Sequence, residues 1–186
     1  MKVILGSASP RRKELLNAAG FTFEIRTKDT DESFPSNMPS DDVALFVATK
    51  KRNALLEDLE DGAVLVCADT TVVIDNTLLN KPKDAFEAKE MLQKLSGREH
   101  KVITGVCIAS KQKSKSFSVV TNVFFKELTT EEIDFYIQEY KPFDKAGGYG
   151  IQEWIGHAGI VRIVGSYNNV VGLPTHEVYE ALQSFK

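Results

Sequence analysis

The chain has 186 residues, of which 42% are hydrophobic and 26% are charged, and its formal net charge is −3. A chain of this length can bury a full core as one domain, and this composition is typical of a globular protein. The acidic balance argues against a nucleic-acid-binding protein, because any basic surface would have to be local. No apolar run in the sequence approaches the roughly 20 residues that cross a membrane, so no membrane partner is expected. The apolar start is shorter than the hydrophobic region of a signal peptide, and we therefore expect a cytoplasmic protein.

Strand-like and helix-like patterns alternate along the chain, which indicates an α/β fold. Strands are predicted at 2–6, 21–27, 63–75, 100–110, 116–128 and 160–166. Helices are predicted at 10–19, 41–59, 85–95, 129–140 and 174–185. No repeat or linker divides the chain. We therefore expect a single domain over residues 1–186, in which helices flank a mixed, twisted β-sheet and two lobes surround a cleft.

The first predicted helix carries positive charge at the end where it is least favourable. Ser9 is a good N-cap and Pro10 suits the first helical position, yet Arg11 and Arg12 follow immediately. Cations at a helix N-terminus are disfavoured by about 0.3–1 kcal/mol each, because the free N–H groups there already carry partial positive charge. An anion bound at this terminus would remove the cost, and a polyphosphate would suit both guanidinium groups. A solvated basic turn remains the alternative.

Asp69 and Thr70 come directly after the apolar run AVLVCA, where we expect the end of a buried strand. A carboxylate there is costly unless it is paired or binds a metal, and ligand sites of open α/β sheets gather at strand ends. Asp69 is therefore a candidate metal ligand or general base. A helix-capping or turn-forming aspartate is the alternative.

Three further segments could face an anion. Lys81 lies in the turn NKPKD, and the residues 50–52 form a basic cluster in the second predicted helix. Taken alone, each of these two is better explained as a charged surface. The segment DKAGGYGIQ has glycines that allow a ligand to approach the backbone, but its spacing matches neither a P-loop nor a dinucleotide fingerprint. The residues by themselves thus predict an anionic, phosphorylated ligand with a carboxylate nearby.

The two cysteines and three histidines show no pattern of a metal or redox site. Cys67 and Cys107 lie in apolar strand-like runs without a C-x-x-C pair, and we expect buried thiols. His100, His157 and His176 are scattered along the sequence and are interpreted as surface or packing residues.

Taken in order, these segments resemble the Maf family of nucleoside triphosphate pyrophosphatases. The resemblance extends over the whole chain and includes SASPRRKELL, TDES, ATKKRNA, ADTTVV, NKPKD, LSGREHKVITGV, DKAGGYGIQ and GSYNNVVGLP. It implies a single α/β unit with a deep cleft, a divalent metal such as Mg²⁺ or Mn²⁺, and cleavage between the α- and β-phosphates. It also implies a nucleotide substrate, a homodimer, and a house-cleaning role in the nucleotide pool.

The resemblance assigns the chemistry to four positions. Asp69 matches the family's catalytic carboxylate, and Glu32 in TDES matches its partner near the metal, so both are expected to hold the cation. Lys51 and Lys81 match basic residues around the phosphates and are counted with the catalytic group.

Five further positions are assigned to substrate binding by the same resemblance. Ser9 lies in the phosphate-facing turn and Arg12 is among the phosphate-binding cations. Arg11, Thr70 and Gln152 match the branch of the family that acts on dTTP and UTP. A nucleotide-binding regulator of septum formation or cell division without turnover is the alternative function.

Overall fold

The computed structural model describes residues 2–185. Its strands are β1 (Lys2–Leu5), β2 (Phe23–Ile25), β3 (Ala63–Ile74), β4 (Thr77–Leu79), β5 (Glu99–Ala109), β6 (Ser114–Phe125) and β7 (Ile160–Val164). Its α-helices are α1 (Pro10–Ala18), α2 (Val43–Leu56), α3 (Ala85–Leu95), α4 (Thr130–Tyr140), α5 (Trp154–Ala158), α6 (Tyr167–Val171) and α7 (Thr175–Gln183). Short 3-10 turns lie at Ser40–Asp42 and Ala146–Gly148.

The strands form one mixed sheet in the order β2-β1-β3-β5-β6-β7, with β4 paired to β3. β1 is parallel to both β2 and β3, as expected for strands that are connected through helices. β4 pairs with β3 and β7 pairs with β6 in the antiparallel sense. The predicted α/β fold with a mixed sheet flanked by helices is confirmed.

The described chain folds into two compact units, and each contains more than one chain segment. The first unit comprises residues 2–70, 104–119 and 172–185, and the second comprises residues 71–103 and 120–171. Three of the boundaries fall inside β3, β5 and β6. The expectation of one domain over residues 1–186 stays a prediction.

In the first unit, the central strands are buried on both faces. Successive residues of a strand point to opposite faces, and accordingly Leu5 lies in one apolar cluster whereas Ile4 lies in another. Leu16 of α1 and Leu182 of α7 join the cluster of Leu5, and Leu55 of α2 joins that of Ile4. This double burial explains why β1 and the first half of β3 read as continuous apolar runs.

Gly105 of β5 allows α2 to approach the sheet at backbone distance. A Cβ atom at Gly105 would lie 2.3 Å from the backbone nitrogen of Leu45 and 2.5 Å from the carbonyl carbon of Ala44. No side chain can occupy that space without moving the helix. The absence of a side chain at this position therefore determines where α2, and the residues it carries, are located.

In the second unit, local sequence signals determine the turns and helix ends. Asp75 and Asn76 both have positive φ, 49° and 59°, as a two-residue hairpin turn requires, and they connect β3 to β4. Asp84 caps α3 by accepting a hydrogen bond from the Glu87 N–H at 2.9 Å. Thr129 caps α4 in a capping box.

His100 is buried in the second unit against aromatic rings. Its Nε2 lies 2.7 Å from the Tyr149 hydroxyl, and its ring stacks on Phe125. Its Nδ1 is buried and has no hydrogen-bond partner among residues 2–185. Burial lowers the pKa of His100 to about 3. The packing role predicted for a histidine fits His100, whereas His157 and His176 are exposed.

Some element boundaries were predicted wrongly. The second helix was expected at 41–59, but Ser40–Asp42 form a 3-10 turn and α2 spans Val43–Leu56. The strand expected at 21–27 is only the three-residue β2. The sequence did not predict α5 and α6, because five-residue helices are too short to display a 3.6-residue period.

Cys67 and Cys107 are free and buried, as predicted. Among the helices of residues 2–185, none has both the length and the apolar character needed to span a bilayer.

Candidate active site

The N-terminus of α1 has the predicted cap. Ser9 precedes Pro10 and its hydroxyl accepts a hydrogen bond from the Arg12 backbone N–H at 3.5 Å. No acidic residue lies in the first turn of this helix. The positive end of the helix thus carries Arg11 and Arg12 without a compensating carboxylate in its own sequence.

The Arg12 side chain is held by acceptors from three separate segments. Its Nε donates to the Gly172 carbonyl at 2.8 Å, its Nη1 to the Ser7 hydroxyl at 3.3 Å, and its Nη2 to the Thr70 hydroxyl at 3.0 Å. Burial lowers the pKa of the Arg12 guanidinium, the charge of Asp69 opposes that shift, and the positive charge of Arg11 adds to it. The acceptors are neutral, so they orient the guanidinium without neutralising it.

Lys51 of α2 lies between two carboxylates. Its Nζ is 2.7 Å from Asp69 Oδ1 and 2.8 Å from Glu32 Oε1. The Lys51 and Asp69 side chains are each 18% exposed, whereas Glu32 is 54% exposed. The structure therefore brings together three of the four residues predicted to carry the chemistry, and all three belong to the first unit.

The strand predicted at 63–75 is observed and contains Asp69, whereas the end of a buried strand expected just before this carboxylate is not observed. Asp69 lies inside β3, which continues without interruption from Ala63 to Ile74. The ladder with β1 ends at Val66, and the ladder with β4 begins at Val72. Asp69 thus lies in the stretch of β3 between these two ladders.

A short turn presents Glu32 to α2. Asp31 accepts hydrogen bonds from the Ser33 N–H at 2.9 Å and from Lys50 Nζ at 2.9 Å. The hydrogen bonds that Asp31 accepts lower its pKa. The largest effect comes from Ser33 and the next from Lys50. Successive lysines of α2 thus bind successive carboxylates, Lys50 to Asp31 and Lys51 to Glu32.

A pocket of about 200 Å³ lies beside these groups in the first unit. Its wall includes Ser7, Glu32 and Lys51, and the remaining lining residues are Gly6, Ala8, Thr27, Lys28, Asp29, Thr30 and Leu55. Cationic, anionic and hydroxyl groups therefore border the same space.

Two predicted site residues belong to the second unit. Lys81 is exposed between β4 and α3, and Gln152 is exposed in the turn before α5. Gln152 follows the glycine-rich segment, in which Gly147 and Gly148 have φ of 71° and 70°. Only residues without a Cβ adopt such values at little cost, so the glycines are required by this turn.

Three contributors to the site were not predicted from the sequence. Ser7 and Gly172 bind Arg12 directly, and Thr104 lies 2.9 Å from the Thr70 hydroxyl. A threonine inside the apolar run of β5 is the signal that could have indicated Thr104. The Gly172 contact uses a backbone carbonyl, which no residue type reveals.

The carboxylates could hold a divalent cation. Within residues 2–185, no three His, Cys, Asp or Glu side chains form a metal-binding group. However, Mg²⁺ is commonly held by one or two carboxylates together with substrate phosphates and water. Asp69 and Glu32 converge on one cationic atom, Lys51 Nζ, so their oxygens already surround a position that favours positive charge.

The family model described as "Maf-like protein" matches residues 2–185. The chain belongs to this family. Among the relatives of this Maf-like protein is the dTTP/UTP pyrophosphatase of Porphyromonas gingivalis, which is 46% identical over 99% of this chain and 94% of its own length. The dTTP/UTP pyrophosphatase of Flavobacterium psychrophilum is 48% identical, covering 96% of this chain and 91% of its own.

A solved structure, the HAM1 protein from Coxiella burnetii, has a related fold. It superposes with a TM-score of 0.51 over 99% of both chains at 13% sequence identity. At that level of identity the likeness concerns the fold alone. It agrees with the mixed α/β sheet described above.

Proposed function

We propose that this Maf-like protein hydrolyses dTTP and UTP to the monophosphate and pyrophosphate. The observation that carries the proposal is the Lys51 ammonium held between the carboxylates of Asp69 and Glu32. Hydrolysis of a phosphoanhydride needs cations for the phosphate charge and a base for the attacking water, and this cluster has both. The names of the relatives support pyrimidine nucleotides as substrates.

In the proposed reaction, Asp69 acts as the general base. Its carboxylate accepts a proton from water while the water oxygen bonds to the α-phosphorus. The bond between that phosphorus and the bridging oxygen breaks, and pyrophosphate departs with the electron pair. Arg12, Lys51 and Lys81 stabilise the negative charge of the phosphates.

Asp69 and Glu32 are the residues proposed to hold a divalent cation, Mg²⁺ or Mn²⁺. A bound cation would neutralise part of the triphosphate charge. The free N–H groups behind Ser9, at the start of α1, are proposed to face the phosphates, as helix N-termini do in many anion sites. Arg11, Thr70 and Gln152 are proposed to select the base. A cytoplasmic homodimer acting on the nucleotide pool remains part of the proposal.

The test is an assay of the purified protein with dTTP or UTP, with Mg²⁺ or with EDTA, and with products separated by chromatography. We expect dTMP or UMP together with pyrophosphate in equal amounts, and loss of turnover in EDTA. Formation of dTDP and orthophosphate would contradict the proposal. Nucleotide binding without any hydrolysis would instead favour a regulator.

A further inference from the structure

Thr104 is a completely buried hydroxyl-bearing residue near the proposed site. It is 0% exposed in β5, and its Oγ1 lies 2.9 Å from Thr70 Oγ1 of the neighbouring strand β3. A buried hydroxyl is unfavourable unless it is hydrogen-bonded, so this pair is a defined polar contact within an apolar layer. Neither hydroxyl is charged. Any effect of this pair on catalysis must therefore come through the group that Thr70 hydrogen-bonds, the Arg12 guanidinium.

The direction of the hydrogen bonds follows from the chemistry of arginine. A guanidinium group can only donate, so the Thr70 oxygen accepts from Arg12 Nη2 at 3.0 Å. The Thr70 hydroxyl proton must then point to another acceptor. Two are available, Thr104 Oγ1 at 2.9 Å and the Gly172 carbonyl at 3.5 Å. The shorter contact, to Thr104, favours a chain from Arg12 through Thr70 to Thr104.

This chain accounts for the orientation of Arg12. The Nε, Nη1 and Nη2 atoms each donate one hydrogen bond, to Gly172, Ser7 and Thr70. Each terminal nitrogen also has a second N–H group. One N–H on Nη1 and one on Nη2 are therefore available to donate a hydrogen bond to an anion. A guanidinium fixed in this way loses little rotamer freedom when it binds a phosphate.

We propose that Thr104 is a positioning residue, which orients the Arg12 guanidinium toward the phosphates through the hydroxyl of Thr70. The contact of Thr70 with Arg12 is additional to the selection of dTTP and UTP that the family resemblance implies for Thr70. The inference rests on the proposed pyrophosphatase function. It predicts an effect that is the same for every nucleotide, since all nucleotides share the triphosphate.

The first experiment compares Thr70→Val, Thr104→Val and Thr104→Ser with the wild type on dTTP, UTP and ATP with Mg²⁺. Both valine variants keep the β-branched shape and remove the hydroxyl. We expect kcat/KM to fall on all three nucleotides, about tenfold in Thr70→Val, which loses a hydrogen bond to a charged group, and about fivefold in Thr104→Val, which loses one to a neutral group. Thr104→Ser should restore most of the activity. A change in the ratio of dTTP to ATP turnover in Thr104→Val would overturn the inference, because a residue that acts through Arg12 affects every nucleotide equally.

Thr71→Val is the matched control. Thr71 is the next residue of β3 and points to the opposite face. Its hydroxyl is buried and has no hydrogen-bond partner within the described chain. The same chemical change there should leave kcat/KM within about twofold of the wild type.

A double-mutant cycle links the threonines to Arg12. Arg12→Met removes the donors and keeps an unbranched apolar side chain. If Thr104 acts through Arg12, Thr104→Val should change kcat/KM by less than about twofold in the Arg12→Met background. An undiminished fivefold loss in that background would overturn the inference.

The same cycle in urea unfolding does not depend on turnover. The midpoint shifts of Arg12→Met and Thr70→Val should be non-additive if the hydrogen bond is formed. Additive shifts would overturn the inference even in an active enzyme. If the wild type releases no pyrophosphate but the shifts are non-additive, the pyrophosphatase proposal fails while the positioning of Arg12 by Thr70 stands.

Discussion

At the scale of single residues, the side chains of Arg12 and Lys51 in the first unit are held in different ways. Arg12 is bound by hydroxyl and carbonyl oxygens, whereas Lys51 is bound by two carboxylates. Neutral acceptors orient a charge and leave it available, but carboxylates compensate it. A phosphate therefore gains more from Arg12 than from Lys51, as long as Lys51 keeps both partners. Lys51 becomes a strong phosphate ligand only when a carboxylate turns to another cation.

Replacing Asp69 with Asn tests the assignment of the base. The amide keeps the size but removes the charge and the proton acceptor. We expect kcat on dTTP to fall by roughly 10²–10⁴-fold, the range for loss of general-base catalysis. Nucleotide affinity measured by calorimetry should persist, because the phosphate contacts come from Arg12, the lysines and the start of α1.

Asp75→Asn provides the control for this substitution, because it makes the same change at an exposed carboxylate paired with Arg98. Its turnover should equal that of the wild type. Near-normal turnover of Asp69→Asn would exclude Asp69 as the base and make Glu32 the leading candidate.

Replacing Gln152 with Ala tests base selection. A site that hydrogen-bonds a pyrimidine leaves polar groups unpaired when the wrong base enters, which can cost several kcal/mol in the transition state. The ratio of kcat/KM for UTP to that for ATP should therefore shrink by about tenfold or more in Gln152→Ala. Equal ratios in the variant and the wild type would remove Gln152 from this role.

His100 predicts a pH dependence of stability. Burial lowers its pKa to about 3 in the folded state, below the ordinary value of about 6.5. The unfolded chain therefore binds a proton that the folded chain does not. The full contribution to stability is present above about pH 6.5, and it decreases as the pH falls toward 3, by up to about 1.4 kcal/mol per pH unit.

Urea unfolding between pH 4 and pH 7 measures this contribution. His100→Gln keeps a group that can bind the Tyr149 hydroxyl but cannot titrate. The slope of the free energy of unfolding against pH should be smaller in the variant, by the amount that corresponds to the uptake of about one proton on unfolding. Parallel slopes would show that His100 takes up a proton equally in both states.

At the scale of secondary-structure elements, α2 determines where Lys50 and Lys51 meet the acidic turn. The helix lies on β5 through the backbone contact at Gly105. Gly105→Ala would place a methyl group within 2.3–2.5 Å of backbone atoms of Ala44 and Leu45. Backbone cannot move aside as a side chain can, so overpacking should cost at least about 1–3 kcal/mol.

This variant should also lower kcat/KM, since any shift of α2 moves Lys51 away from Asp69. Gly6→Ala is a useful comparison, because the added methyl there meets the Cys67, Leu55 and Leu65 side chains rather than backbone. We expect the smaller loss of stability from Gly6→Ala. A Gly105→Ala protein with wild-type stability and activity would contradict the role given to this contact.

The elements that were predictable from sequence are those with strong local signals. The cap at Ser9 is observed where it was expected, and Asp84, Thr129 and the pair at residues 75–76 are of types that commonly cap helices or form tight turns. The errors arise where tertiary contacts, and not the local sequence, determine where an element ends. The pattern around Asp69 suggests a strand end, but β3 continues because β4 pairs with its second half.

In the candidate site, too, the residue types were predictable from the sequence and the tertiary contacts were not. The residue types of Arg12, Lys51 and Asp69 indicated their chemistry, because charges next to apolar segments are costly without partners. The contact of Arg12 with the Gly172 carbonyl joins positions 160 residues apart through a backbone atom. No local pattern encodes such a contact.

At the scale of the whole molecule, α7 completes the core of the first unit. Its residues Val178, Ala181 and Leu182, with Leu173 before them, are buried in the same apolar cluster as β1 and α1. A protein ending at residue 171 would lose all of them. Large apolar side chains contribute about 2–5 kcal/mol each in a core, so the loss is comparable to the entire stability of a domain.

We therefore expect the protein of residues 1–171 to unfold without a cooperative transition in urea. Adding a synthetic peptide of residues 172–186 should restore part of the transition. A truncated protein with a wild-type unfolding midpoint would contradict the assignment of α7 to this core.

The interleaving of the two units has a consequence for protein synthesis. Residues 172–185 are made after residues 120–171, which belong to the second unit. While the ribosome is making the second unit, the earlier strands of the first unit lack the helix that covers one of their apolar faces. The nascent chain therefore exposes β-rich apolar surface for the whole of this interval, a state that is prone to aggregation. Folding of the N-terminal segment must wait for the last helix, and chaperones that bind nascent chains have their longest opportunity during that delay.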